Sequence, residues 1–428
     1  IDLDELVITT GEAELPDLRF DFTFPAHCVQ QIVDRLEEEK QPLEGRPLRD
    51  LLAQICFEEA VGRFEIAPLW RPMILPHPEP MELKSGEDFC FSALLDNCPE
   101  IEWPDFTQME FDRPVIEIDE ASIEAELEEQ RLNMGEAAPT TEPMTRGDEA
   151  VGGIQLTIVQ TGTLILALEE ITIRVPAPGY PAFANNVPIA GLAEALEGGC
   201  AGGTIEIESI VPNTTEWSEY AGRPVVCRFD IKSTNRIQPG SIEDVVNNFG
   251  SPSEAALRQQ IHLSLEARFE QEQRIHMVEV VFAQLLELID IPVPKRAVFG
   301  YLKDIQRMHA TSLAGQGIDE ETIKETINSD LERHTYQADM LARRRVLTVM
   351  LGDHFKVIVG ERELDEQIKF LASVQGEQVD DVRKKVVESG MIDNIGETCR
   401  QSGITGHILA VANVRDVPAA PGTGLLET

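Results

Sequence analysis

The stretch SPSEAALRQQIHLSLEARFEQEQRIHMVEVVFAQLLELID (Ser251–Asp290) decides the reading of the chain. Leu257, Ile261, Leu265, Phe269, Val278 and Leu285 recur at helical spacing, as one apolar stripe on a 3.6-residue period does. Ser253 stands where an N-cap belongs, its hydroxyl placed to accept from a first-turn amide. The IPVPK that follows (Ile291–Lys295) cannot continue the helix, because proline lacks the amide proton and clashes with the preceding turn. About 36 helical residues at ~1.5 Å each make a rod of roughly 50 Å. That is long against the ~13 Å radius of a 100-residue globule, so the rod must project or pair with another.

Outward from this rod the chain stays helical to its C-terminal end. The stretch ETIKETINSDLERHTYQADMLARRRVLTVMLGDHFKV (Glu321–Val357) is the purest amphipathic run, and the predicted arms are Ser253–Asp290, Arg296–Ala314, Glu321–Phe355 and Glu361–Val414. No metal, nucleotide or nucleophile motif falls on them; in particular there is no GxxxxGK[ST] loop. Upstream, GGIQLTIVQTGTLILALEEITIRV, TIEIESIV and VVCRFDIKS predict a β-rich block over Gly152–Ile237, with a short helix at Ile189–Leu196. Before it lie an acidic helix, Glu120–Met134, and GEAAPTTEPMTRGDEA, which has linker composition. The N-terminal segment alternates in RFDFTFP (Arg19–Pro25), then predicts helices at Ala26–Lys40 and Leu48–Val61, a proline-rich stretch and the strand EDFCFSALL. IEWPDFTQMEFDRPVIEID reads as an exit segment, and no internal repeat is visible.

The length, 428 residues, implies about three domains. The formal net charge of −40 keeps apolar surface soluble and disfavours nucleic acid. The seven cysteines are scattered, odd in number and without CxxC spacing, which argues for a reducing compartment and against a disulfide framework or zinc site. No apolar run approaches the roughly 18–20 residues of a membrane span. The start, IDLDELVITTGEAELPDL, is acidic where a signal peptide is basic, and it opens on Ile rather than Met. The expectation is a cytoplasmic protein whose native start is missing.

Four local matches then carry a resemblance. They are FDFTFPAHCVQQIVDRLEEE with FEEAVGRFEIAPL and EDFCFSALLDNCPEIEW; FDRPVIEIDEASIEAELEEQR; VPIAGLAEALEGGCAGGTIEI; and SIEDVVNNFGSPSEAALRQQIHLSLEARFEQEQR with IPVPK and GERELDEQIKFLA. No single motif is strong, but their order and spacing resemble the trigger factor family over nearly the whole chain. The resemblance implies an α+β multidomain fold: an N-terminal α/β ribosome-binding-like module, an FKBP-like β-rich domain and a C-terminal long-helix, SurA-like arm domain. The implied boundaries are 1–115, a helical linker at 116–147, 148–237 for the FKBP-like domain, 238–415 for the helical chaperone domain, and a flexible tail at 416–428. The implied function is an ATP-independent holdase that binds unfolded or nascent polypeptides. Prolyl isomerisation is the alternative from another class, and an assembly chaperone working off the ribosome is a third. The implied partners are polypeptides and a weakened ribosome contact, with no DNA, no membrane, no cofactor and no metal, in a monomer or weak dimer.

Prolyl isomerisation needs no acid, base or metal. Its barrier of ~18–20 kcal/mol is amide resonance, lowered by a dry, rigid, usually aromatic pocket that favours the twisted amide. By resemblance the pocket positions are Ile189, Leu192, Tyr220, Cys227 and Phe229. Gly153, Leu192 and Cys227 stand where the family has Phe, Phe229 restores one only in a shifted register, and the flap looks shortened. Weak or absent isomerase activity is the expectation, with the domain kept as a spacer or binding surface and these residues as core. The ribosome-docking loop of the family falls on QPLEGRPLRD, where Gly45 and Arg46 survive among acidic flanks. Such a loop profits from cations, because phosphate contacts dominate affinity for nucleic acid. Arg46 therefore reads as an ordinary solvated residue and docking as weakened. The histidines (His262, His276, His309, His334 and His354 among them) lie at no metal-ligand spacing and read as surface or core. Arg343–Arg345 reads as a solvated face paired with acids of a neighbouring arm. Met277, Met308, Met340, Met350 and Met391 suit either an adaptable surface or core.

Overall fold

The computed structural model describes residues 5–38, 45–76, 86–176, 181–184, 187–211, 220, 222–315, 320–375 and 378–419. It is a mixed helix and sheet architecture in two units. The first comprises Ile1–Pro104, Gln284–Ile305 and Leu331–Val357; the second comprises Asp105–Ala283, Gln306–Asp330 and Ile358–Thr428.

In the first unit, β1 (Val7–Gly11), β2 (Asp17–Phe24), β3 (Met73–Ile74) and β4 (Phe89–Asp96) form an antiparallel sheet in the order β1-β2-β4-β3. The alternation visible in the sequence sends Phe20, Phe22 and Phe24 inward from β2, and Phe89, Phe91, Ala93 and Leu95 inward from β4. Phe22 and Phe91 face each other in the register and stack with centroids 4.8 Å apart. Helices α1 (Ala26–Glu38) and α2 (Gly45–Phe64) supply Ile32, Leu52, Ala53, Cys56 and Ala60 to the same core. Further along, α7 (Lys295–Gly315) brings Arg296 to this sheet. Its guanidinium donates to Asp17 at 2.7 Å and to Asp96 at 2.5 Å, and to the Arg71 carbonyl at 2.6 Å. Asp96 is fully buried and also accepts from the Leu69 amide at 2.6 Å.

The second unit holds a five-stranded antiparallel sheet. Its strands are β6 (Glu136–Thr140), β7 (Glu149–Ile158), β8 (Leu164–Arg174), β11 (Thr204–Ile210) and β12 (Pro224–Gln238). The order is β11-β12-β7-β8, with β6 pairing the far end of β12. The short pair β9 (Ala182–Ala184) and β10 (Val187–Ile189) and helix α4 (Leu192–Leu196) pack on its inner face. Beside it, α3 (Glu120–Asn133), α5 (Ile242–Asn248) and the first half of α6 (Glu254–Leu288) share a core of Ile123, Leu127, Val245, Leu257, Ile261 and Leu265. The acidic surface of α3 meets cations of α6: Arg258 bridges Glu120 and Glu124, and Arg268 reaches Glu126. The remaining lobe is α10 (Glu361–Gln375), α11 (Val379–Glu388) and α12 (Ile392–Leu409), closed over Ile368, Ala372, Val382, Val386 and Ile395. After it, β13 (Asn413–Pro418) pairs in parallel with β5 (Glu110–Val115). Arg415–Asp112 and Arg113–Asp416 pairs hold that junction at 2.8 and 2.7 Å.

The long helix is as the sequence predicts: α6 spans 35 residues and the Ser253 hydroxyl accepts from the Ala256 amide at 3.2 Å. Other elements differ. The expected arm Glu321–Phe355 is two helices, α8 (Glu320–Ser329) and α9 (Leu331–Phe355), parted at Asp330. Asn328, Ser329 and Asp330 are poor helix residues that bond locally. The Ser329 hydroxyl donates to the Thr326 carbonyl at 2.8 Å, and the Asp330 carboxylate turns to Arg223 at 2.8 Å. The expected arm Glu361–Val414 is three helices and a strand. One break is Gly390, whose φ of 71° is the left-handed cap that ends α11. The linker-like stretch after α3 forms β6 instead, an edge strand where Pro139 is tolerated. Helix α4 starts at Leu192 rather than Ile189, because Gly191 at φ 82° cannot lie inside a helix. Among the described residues no helix is long and apolar enough to cross a membrane.

Replacing Arg296 by Ala leaves Asp17 and Asp96 buried without their common cation. Urea unfolding should show the first unit destabilised by about 3–5 kcal/mol, with Arg296→Lys recovering only part of that loss because a point charge cannot serve three acceptors as a fork does.

Candidate functional site

All five pocket positions named from the sequence come together. Ile189 closes β10, Leu192 opens α4, Tyr220 precedes β12, and Cys227 and Phe229 lie on β12 two residues apart, hence on one face. The register sets Cys227 between Ile207 and Leu156, and Phe229 between Ile205 and Ile154. They join one continuous cluster in which none of the five is more than 2% exposed. An isomerase pocket must offer apolar surface to a substrate. These side chains give theirs to each other.

Tyr220 is held from outside the β domain's own segment. Its hydroxyl lies 2.8 Å from Nε2 of His309 on α7, and the rings meet edge to face at 5.4 Å. The Arg223 guanidinium sits 5.7 Å from the Tyr220 ring and pairs with Asp330 at 2.8 Å. His309, a histidine expected to be a bland helix or core residue, is thus buried against the site. Nothing in the sequence signals this, since the pair is 89 residues apart.

The glycine reading also shifts. Alternation along β7 puts Gly152 on the buried face and Gly153 on the other. A Cβ at Gly152 would lie 2.2 Å from the Asp230 carbonyl oxygen. The core-facing position therefore requires glycine, and an aromatic ring there would displace β12. The connections at 177–180 and 212–219 lie outside the described residues, and the flap expectation has no described segment to rest on. The docking-loop expectation falls mostly outside them as well: Gly45 opens α2, residues 39–44 precede it, and Arg46 is placed only as backbone in its first turn.

Burial pushes the thiols of Cys56 and Cys227 up to about 12. All seven cysteines are free, with Cys90 exposed. The arginine run pairs in part as expected: Arg343 meets Asp339 at 2.7 Å and Asp290, at the end of α6, at 3.4 Å. The helical lobe exposes apolar side chains. Ile358 is 86% exposed, Val387 60% and Met391 48%; Met308 on α7 is 68% exposed, whereas Met277 is buried.

The fold is that of a multidomain α+β protein with several sheets and long helices. Residues 27–130 match the model of bacterial trigger factor protein, and residues 255–409 match its C-terminus. The trigger factor of Rhodospirillum rubrum is 25% identical over 372 residues, covering 86% of this chain and 80% of the relative. That of Nocardia farcinica is 24% identical over 378 residues, 84% of this chain and 75% of the relative. A solved trigger factor chaperone aligns with 94% of this chain and 99% of its own, at TM-score 0.37 and 14% identity. The chain belongs to the trigger factor family, and it is a chaperone in protein folding.

Two measurements follow. With an alkylating reagent at pH 8, a thiol at about 12 is ionised in about one molecule in ten thousand. Mass spectrometry should find Cys90 modified first, and Cys56 and Cys227 only after unfolding. Tyr220→Phe removes a buried hydrogen bond to His309 and should cost about 1–2 kcal/mol in urea unfolding.

Proposed function

We propose that this chaperone is an ATP-independent holdase that binds unfolded or nascent polypeptides through exposed apolar positions of its helical lobes. The domain scheme is that of the family: a ribosome-binding-like module over 1–115, a linker to 147, an FKBP-like domain over 148–237, a helical client-binding domain over 238–415 and a tail. The observation that carries the reading is a contrast. The five isomerase-type positions are sealed in core, while Val387 and Met391 on the lobe of α10–α12, and Ile358 just before it, stand in solvent. Exposed apolar side chains mark an interaction surface where they lie together in one patch, which is the role assigned to them here.

The mechanism follows from magnitudes. Apolar area contributes ~25 cal/mol per Å² on burial. A single exposed valine or methionine thus holds a client weakly, and several together hold it well yet release it without nucleotide. In this reading the β domain serves as scaffold and binding surface. Ile189, Leu192, Tyr220, Cys227 and Phe229 stabilise it rather than catalyse. The protein works in the cytoplasm as a monomer or weak dimer, and its ribosome contact through Gly45 and Arg46 is weak.

The test is suppression of aggregation of a chemically denatured client. The chain should protect at stoichiometric ratio without ATP. A Val387→Asp/Met391→Asp double variant should fold normally but bind client about fivefold more weakly, for roughly 1 kcal/mol of lost burial. Full protection by the double variant would remove the lobe from the client surface. In a protease-coupled prolyl assay the chain should turn over near background; robust turnover would return the β domain to catalysis.

A further inference from the structure

Glu5, His27 and Cys28 bring a carboxylate, an imidazole and a thiol to one point in the first unit. The His27 Nε2 atom lies 2.8 Å from a Glu5 carboxylate oxygen and 3.4 Å from the Cys28 sulfur. All three donor atoms lie within 4.8 Å of one another. We propose that these three residues form a binding site for a thiolate-preferring divalent cation of the zinc type.

The site is built from fixed parts. Glu5 precedes Leu6, whose side chain is 1% exposed in the sheet core. The Leu6 carbonyl accepts from Arg63 on α2 at 2.8 Å. On the other side, His27 and Cys28 occupy the first turn of α1. That turn is fixed by the Cys28 amide on the Pro25 carbonyl at 3.0 Å and by the Ala26 amide on Asp88 at 2.9 Å. The donors therefore meet because two anchored backbones place them there. One nitrogen facing both an oxygen and a sulfur is the arrangement a cation would share out.

The distances fit such an ion. Metal bonds of about 2.0–2.3 Å in a tetrahedron put ligand atoms about 3.3–3.7 Å apart. The nitrogen–sulfur separation is already there. The Glu5 oxygen must retreat by about half an ångström, which its exposed side chain permits, at 57%. Sulfur and imidazole donors select zinc-like ions over calcium or magnesium. On binding, the Cys28 thiol gives its proton to solvent as the sulfur–metal bond forms, and water fills the fourth position. Spacing analysis misses the site because its donors come from residue 5 and residues 27–28, not from a CxxC pair.

The test uses the full chain, reduced and stripped of metal, titrated with cobalt(II) and then with zinc(II). The expected result is one ion per chain, with the near-ultraviolet thiolate-to-cobalt charge-transfer band and strong visible bands of a tetrahedral site, lost on adding zinc. His27→Gln and Cys28→Ser should each weaken binding at least about tenfold, and the exposed-thiol variant Cys90→Ser should leave it unchanged. Zinc should also slow hydrogen exchange at residues 5–11. Absence of the thiolate band would overturn the proposal, as would a band indifferent to His27→Gln, which alters an exposed side chain and tests the site even if Cys28→Ser unfolds.

Discussion

The polar tie at Arg296 is what the first unit depends on. Its first segment ends at Pro104 and the next begins only at Gln284, and the sheet core by itself says nothing about which later helix should dock. Arg296 does. Its side chain and that of Asp17 are 10% exposed, and that of Asp96 is 1% exposed. Burying three charges is costly unless geometry repays it. Here one guanidinium fork serves two carboxylates and a carbonyl, and a helix shifted by a turn would leave both carboxylates without their cation. The tie therefore acts more through register than through raw stability. The second unit solves the same closure problem with backbone, since β13 returns to β5 from 303 residues away. Closing so long a loop is tolerable because its entropic cost grows only with the logarithm of length, about 0.6 kcal/mol per doubling.

How much of this was legible in the sequence depends on the range of the interaction. Local signals read true. The Phe20–Phe22–Phe24 alternation, the Ser253 cap and the stripe of α6 all rest on neighbours within a turn or a pleat. The break at Asp330 was harder, because apolar periodicity runs across it and the decisive partner, Arg223, belongs to another segment. β6 was hidden for a related reason: its polar, proline-bearing sequence has no strand character until the overhanging end of β12 supplies a ladder. The five positions named by resemblance lie together in one buried cluster, but the partners they meet there were not readable. That Tyr220 would meet His309, and that Gly152 rather than Gly153 would face inward, depend on register and on packing from α7.

In the β domain the positions named by resemblance to an isomerase pocket are filled by packed core. A catalytic cleft for a proline must keep apolar surface away from its own side chains and away from water. Glycine at 152 allows β12 to approach to within a Cβ radius, and Cys227 is smaller than a ring. Phe229 and Tyr220 pack in this core, and His309 meets the Tyr220 hydroxyl. Each change favours the domain's stability at the expense of access. Under the proposed function, client holding falls to exposed side chains such as Met308 on α7 and Val387 and Met391 of the α10–α12 lobe.

The charge of −40 constrains how such surfaces can be used. A protein that exposes valine and methionine on its helical lobe and isoleucine beside it risks self-association through them, and mutual repulsion opposes that without touching the apolar side chains. The same field would work against contact with phosphate, so the proposed weak ribosome contact is consistent with a sequence that carries Glu37, Glu38, Glu39 and Glu44 there. Salt screens exposed charges beyond roughly 10 Å at 0.1 M but leaves apolar burial in place. If the proposed function holds, client holding and ribosome contact should separate on a salt axis: the first persists as ionic strength rises, while the second depends on how much of the repulsion is screened.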